Sequence, residues 1–326
     1  MTRQPPSYRS YYGLPVLKVT RWKEPHLPAY LFLGELSGAA AVLGALARAT
    51  GRRRLARAGR LSALAGAVGG AVFLTAELGR PERFANMLRV FKPTSPMSVG
   101  AWLLAVHSGL VSAAAASDLT GRQPRLGTAA GAAAAVTGPL LASYPGVLLA
   151  NTAVPAWHEA YRQLPVLFAG GGMTAAGAVG LAATCRGRGR SNGGPDGSSD
   201  RRAESEPARL FALIGAAVES AAGFGLEYGL GPSGDPYREG DARRLLRMAR
   251  WLTLSGGAAA VAARRSSAAA AAASVLLAGG GLCAKFAVLR AGVASARDPK
   301  YVILGQQEQA ARAATGDGDV KAGGAR

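Results

Sequence analysis

Apolar stretches of about 20 residues, separated by clusters of arginine, recur along this chain. A helix of that length crosses a ~30 Å hydrocarbon core. A soluble amphipathic helix repeats its charges every few residues along one face, whereas here charges and apolar runs are segregated. The pattern predicts an all-α polytopic membrane protein, a bundle of about eight transmembrane helices. The spans read as Pro28–Ala47, Leu61–Glu77, Met97–Ser117, Leu126–Ser143, Leu164–Thr184, Ala208–Leu230, Leu246–Ala263 and Ser267–Leu289. The fourth, seventh and eighth are rich in Ala and poor in Leu. Mean hydropathy is only +0.14, because Ala and Gly supply much of the apolar content and 38 Lys and Arg lower the average.

The spans divide the chain into an interfacial segment (1–27), a five-helix membrane part (28–185), a linker (186–207), a three-helix part (208–290) and a tail (291–326). The linker, RGRGRSNGGPDGSSDRRAESEP, is rich in Gly, Ser and charge and is expected to be disordered; the tail after Gln306 is similar. The net charge of +19 comes without a zinc spacing or a basic recognition helix, which argues against nucleic acid. Loop arginines beside apolar spans fit membrane orientation and anionic headgroups instead. Only two cysteines occur, Cys185 and Cys283, too few for an iron–sulfur cluster with its usual four thiolates and no disulfide framework. The polar, aromatic stretch before Pro28 does not read as a signal peptide, so the first span is expected to direct insertion. With an even number of spans both termini share a side. The opposite side holds the dense RATGRRRLARAGR loop and Arg264-Arg265, which favours making that side cytoplasmic and the termini non-cytoplasmic in a cell membrane. Trp22, Trp157 and Trp251 are expected as interfacial aromatics.

Ionisable groups inside a span cost a few kcal/mol each. Glu35 sits a third of the way into the first span. Glu77 closes the second, on the helix face of Gly70 and Gly66, a small-residue face suited to close helix contact. Glu219 and Glu227 lie eight apart in the sixth span, and Lys285 is near the end of the eighth. Following each helix by parity, His26, Glu35, Glu77, Tyr144, Glu227 and Lys285 all fall toward the side of the termini, which predicts a site there. Glu77 has an ordinary alternative as the partner of Arg80 or Arg83. Lys285 reads better as snorkelling to the headgroups than as a buried partner of Glu227. His107, mid-span, suits a hydrogen bond to a neighbouring helix. Tyr144, in Ser-Tyr-Pro-Gly, is expected where a broken helix exposes backbone groups. Paired axial histidines for a haem are not expected. A Tyr, a His and carboxylates at the edge of an apolar bundle can hydrogen-bond the two carbonyls of a quinone and handle its protons. Glu35 and Glu77 are the candidate proton-handling acids, and Glu219, Glu227 and Lys285 a possible proton path.

These stretches resemble the NrfD/PsrC family, the integral membrane subunits of polysulfide reductase-like and nitrite reductase-associated complexes. The residues that carry the resemblance are YYGLPVLK, PAYLFLGELSGAA, ELGRPERFANMLRVFKPTSPMSVGAW, YPGVLLANTAVPAW and RAGVASARDPKYVI. It implies an eight-span bundle, without haem or iron–sulfur cluster of its own, that exchanges electrons with menaquinone or ubiquinone. Its implied partner is a ferredoxin-like subunit with 4Fe–4S clusters, usually serving a molybdopterin oxidoreductase. The family's quinone site maps onto Tyr144 and His26, and the loop with Arg80 and Asn86 would shape the pocket or face the partner. Here the first span reads GELSG where the family has a second Gly, the second ends in Glu77 where Asp is common, and the long linker is unusual. A proton-coupled secondary transporter and a purely structural anchor are the competing readings; no inverted repeat supports the former.

Overall fold

The computed structural model describes residues 22, 24–78, 82, 86–185 and 196–301. Among them no strand occurs, and eight long helices follow one another: α1 (His26–Ala49), α2 (Arg53–Leu78), α3 (Pro96–Thr120), α4 (Pro124–Ala150), α5 (Gln163–Cys185), α6 (Asp196–Tyr228), α7 (Gly240–Ala262) and α8 (Ser267–Arg297). Each covers most of one expected span. Their ends follow local chemistry. Ser95 caps α3 by accepting from the Ser98 N–H, with Pro96 at the first helical position, and Gly121 at φ 68° ends it. Ser266 caps α8 in the same way, accepting from Ala269.

Seven of the helices are long and apolar enough to cross a membrane, and the chain is a multi-pass helical membrane protein. The remaining long helix, α7, is diluted by Arg243, Arg244, Arg247 and Arg250. It nevertheless runs antiparallel along α8, so tightly that a Cβ on Gly280 would stand 2.6 Å from Thr253 Oγ1. Successive helices alternate in direction, giving two faces. The near face, where α1 begins, holds the 86–95, 151–162 and 229–239 connections. The far face holds the turns at 50–52, 121–123 and 263–266.

Three sequence expectations need correction. The linker lies partly outside the described residues (186–195), but 196–207 is the first part of α6, with Pro207 inside the helix. Far-face contacts hold it: Arg52 Nε donates to the Ala203 carbonyl at 2.8 Å, Glu204 accepts from the Arg54 N–H at 2.7 Å, and Glu206 joins Arg209 to Arg264. The helix also does not break at Ser-Tyr-Pro-Gly. α4 continues to Ala150 through both Pro139 and Pro145, as membrane helices tolerate when neighbours pack around the interruption. Trp157 is no interfacial belt residue either. It is fully buried, stacked on Trp22 at 5.2 Å, and its indole N–H donates to the Val288 carbonyl. Trp251 is exposed, but halfway along α7 rather than at its end.

The core falls into two apolar clusters. Toward the near face pack Leu31, Trp157, Phe168, Leu226, Tyr237 and Val288. Tyr237 is completely enclosed and donates to the Ala156 carbonyl at 3.0 Å; burial holds its phenol above the ordinary value. Toward the far face the cluster is mostly alanine with Leu36, Leu43, Leu55, Leu181 and Leu277. Small residues there let helices approach closely: a Cβ on Gly177 of α5 would stand 2.6 Å from the Ala208 carbonyl oxygen of α6. Between the two clusters, at mid-depth, runs a layer of polar side chains.

Candidate functional site

On the near-face side of α1, His26 opens the helix and Tyr30 follows one turn later on the same side. The His26 ring lies 6.2 Å from that of Phe73 on α2. Tyr30 is buried against α2 as well, its Cδ2 3.8 Å from where a Gly70 Cβ would be. Gly66 abuts the α1 backbone at Leu33 and Ser37, so the small-residue face of α2 is the face that meets α1. Glu77 continues it and is half-buried. Tyr144 of α4 closes the group. It is buried against Gly100 of α3, where no Cβ would fit, and its hydroxyl donates to the Pro96 carbonyl. Tyr144 lies near Tyr30 across the α1–α4 contact. His26, Tyr30, Phe73, Glu77 and Tyr144 thus line the near-face half of the α1, α2 and α4 contact. Nδ1 of His26 is buried with no hydrogen-bond partner among the described residues, and a buried nitrogen in that condition costs about 1–3 kcal/mol. Arg80 lies outside the described residues. Asn86 is described and exposed.

The mid-depth layer has two parts. His107 of α3 joins helices as expected: Ser37 Oγ of α1 lies 3.2 Å from Nε2 and Thr137 Oγ1 of α4 2.8 Å from Nδ1, while Ser37 also donates to the Ala63 carbonyl of α2. Beside it lies an ionic cluster. Lys285 of α8 is completely buried, with Nζ 3.0 Å from Glu35 Oε2 of α1 and 3.8 Å from Glu219 Oε1 of α6. The Phe168 ring of α5 lies 4.7 Å below the ammonium. Room for these groups comes from Gly171, where a Cβ would be 2.6 Å from Lys285 Nζ and 2.9 Å from Glu35 Oε1. Lys285 therefore does not snorkel. About three turns of α8 separate it from the helix end at Arg297, too far for its side chain to reach the near face. Nor does it pair with Glu227, which binds Arg250 of α7 at 2.5 Å.

The structure thus sorts the expected residues into two places. His26, Glu77 and Tyr144 belong to the near-face group, and Glu35, Glu219 and Lys285 to the buried cluster, with Glu227 on the near-face side of Glu219. Tyr30, Gly171 and Arg250 escaped sequence reasoning. Tyr30 carried a readable signal, one turn from His26. In the sequence Arg250 is one charge near the start of a span, and Gly171 one glycine of a Gly-Gly-Gly run.

A family model described as polysulfide reductase, of the NrfD type, matches residues 8–190, more than half of the chain. The match takes in α1 to α5 and stops before α6. No curated protein matches the chain.

Proposed function

The chain belongs to the NrfD-type polysulfide reductase family, and from that premise we propose that it is the quinone-reactive membrane subunit of an oxidoreductase complex, its quinone held at the near-face group of His26, Tyr30 and Tyr144. Family membership supports a membrane subunit that works with other oxidoreductase subunits. The observation that carries the quinone reading is the orphaned Nδ1 of His26. A buried imidazole nitrogen one helical turn from the Tyr30 phenol and beside aromatic Phe73 fits a flat ligand that is apolar on its faces and accepts or donates hydrogen bonds at its edge. When bound, the quinone supplies reversible two-electron, two-proton chemistry. The chain supplies the site. His26 holds one edge of the ligand, and Tyr144, anchored by its donation to Pro96, offers its oxygen as acceptor. Glu77, half-buried at the rim, exchanges protons with the near face. Electrons pass to or from a ferredoxin-like iron–sulfur subunit docked on that face, which serves a molybdopterin subunit.

The far face carries Arg48, Arg52, Arg53, Arg54, Arg57, Arg122, Arg125, Arg264 and Arg265, and we place it in the cytoplasm. The near face then lies outside. Binding of a fluorescent quinone analogue to the purified chain tests the site. His26→Leu should weaken binding about tenfold, the cost of one hydrogen bond to a buried partner, and Tyr144→Phe should weaken it less. Equal affinity in wild type and both variants would remove the quinone from this group.

A further inference from the structure

The second half of the bundle contains charged machinery that the family match does not reach: Glu219, Glu227, Arg250 and Lys285 all lie beyond residue 190. A small cavity of about 30 Å³ lies between α6, α7 and α8, lined by Glu219, Ser220, Gly223, Arg250 and Thr253 among others. A water needs about 10–15 Å³ of such space and two or more polar partners. The cavity therefore has room for about two, with the Glu219 carboxylate, two hydroxyls and a guanidinium as partners. Neither oxygen of Glu219 has a hydrogen-bond partner of good geometry among the described residues. Arg250 lies on the near-face side of the cavity, held by Glu227 at 2.5 Å and by the Phe224 ring at 4.3 Å. Glu227 is in the last turn of α6 at the near face. On the other side, Lys285 links Glu219 to Glu35.

We propose that Glu35, Lys285, Glu219, Arg250 and Glu227 form a proton-loading chain that carries one exchangeable proton between the centre of the bundle and the near face. The groups facing one another are Glu35 from α1, Glu219 and Glu227 from α6, Arg250 from α7 and Lys285 from α8; α5 contributes Phe168, Gly171 and Thr174 and no charge. Three carboxylates face two cations, a surplus of one negative charge. A low-dielectric interior penalises net charge far more than it penalises neutral groups, so the cluster is neutral when one carboxyl holds a proton. That proton leaves Glu219 as its O–H bond breaks and a cavity water takes it up. The water passes a proton on, and a new O–H bond forms on Glu227. Arg250 then shifts its contact toward the Glu219 carboxylate left behind. Nothing is oxidised or reduced in this step. The chain does not depend on the His26 group binding a quinone.

Infrared titration of the full chain in lipid nanodiscs tests the count. Wild type at neutral pH should show a protonated-carboxyl C=O band that shifts in D₂O and fades as pH rises. Glu219→Gln leaves two carboxylates and two cations, so the amplitude of one carboxyl should be lost. Lys285→Met leaves three carboxylates and one cation, so that amplitude should double. The double variant Glu219→Gln/Lys285→Met returns to one surplus charge and should restore it. It also carries the same surplus as the wild type, so it keeps the test open if a single variant fails to fold. Thr253→Val removes one of the two hydroxyls of the cavity wall while nearly conserving volume. It should leave the amplitude unchanged and slow deuteration of the band at least about tenfold. An ion pair that only holds helices together predicts no such band in wild type and no restoration in the double variant, and either finding would overturn the proposal. Deuteration unaffected by Thr253→Val would overturn the route through the cavity.

Discussion

Gly171 shows how much one hydrogen atom decides. Its missing Cβ is the space occupied by the Lys285 ammonium and the Glu35 carboxylate. Lys285 is a long side chain that could ordinarily move aside, but here it is held by two carboxylates and an aromatic face. Gly171→Ala is therefore expected to destabilise the bundle by about 1–3 kcal/mol through overpacking, read as a lower melting temperature in detergent. Gly109, also in a long helix, has nothing within 4 Å of its would-be Cβ. Gly109→Ala should leave the melting temperature unchanged or raise it, by up to about 1 kcal/mol in stability. The two glycines look alike in sequence. Glu35 and Lys285 were visible there as charges inside spans and therefore as groups needing partners. Which partner each would find was not legible, because nothing in a linear pattern says that α1 and α8 meet.

Pairs of helices are fixed by a few specific contacts laid over generic small-residue packing. Near the far face, Arg60 of α2 is buried and its guanidinium reaches Asp118 of α3 at 2.5 Å. Breaking a buried pair from one side leaves an uncompensated charge. Asp118→Asn should cost about 2–4 kcal/mol, toward the lower end because Asp118 is 23% exposed. The double variant Arg60→Met/Asp118→Asn should recover most of that, and chemical denaturation of the three proteins checks it. The extension of α6 back to Asp196 has the same origin. Its composition reads as a solvated linker, yet Glu204 accepts from the Arg54 N–H at the start of α2 and Glu206 meets Arg264 of the α7–α8 turn. Composition reports what a segment can do alone, and these contacts come from elements 150 and 58 residues away.

Across the whole bundle, the alternation of helix direction makes a topological prediction. Reporters at Arg122 and Arg265 should map to one side of the membrane, and reporters at Tyr161 and Gly231 to the other. Cysteine labelling with a membrane-impermeant reagent, in a chain freed of Cys185 and Cys283, reads this directly. If α7 failed to cross, Arg265 would label with Gly231 instead. Seven of the eight long helices were legible as spans because an apolar run must exceed the membrane thickness, a local requirement that any segment meets or fails by itself; α7, with its four arginines, does not meet it by itself. The gathering of Tyr144 and His26 toward one side was legible too, since direction alternates with each crossing. Depth along the membrane normal is thus written in the chain, one helix at a time. Position within the membrane plane is not. The ring of neighbours that places Lys285 between Glu35 and Glu219, and gives Glu227 to Arg250, depends on how the eight long helices interlock. That choice rests on small-residue contacts and buried charge pairs between distant segments, and it exists only once the helices have packed.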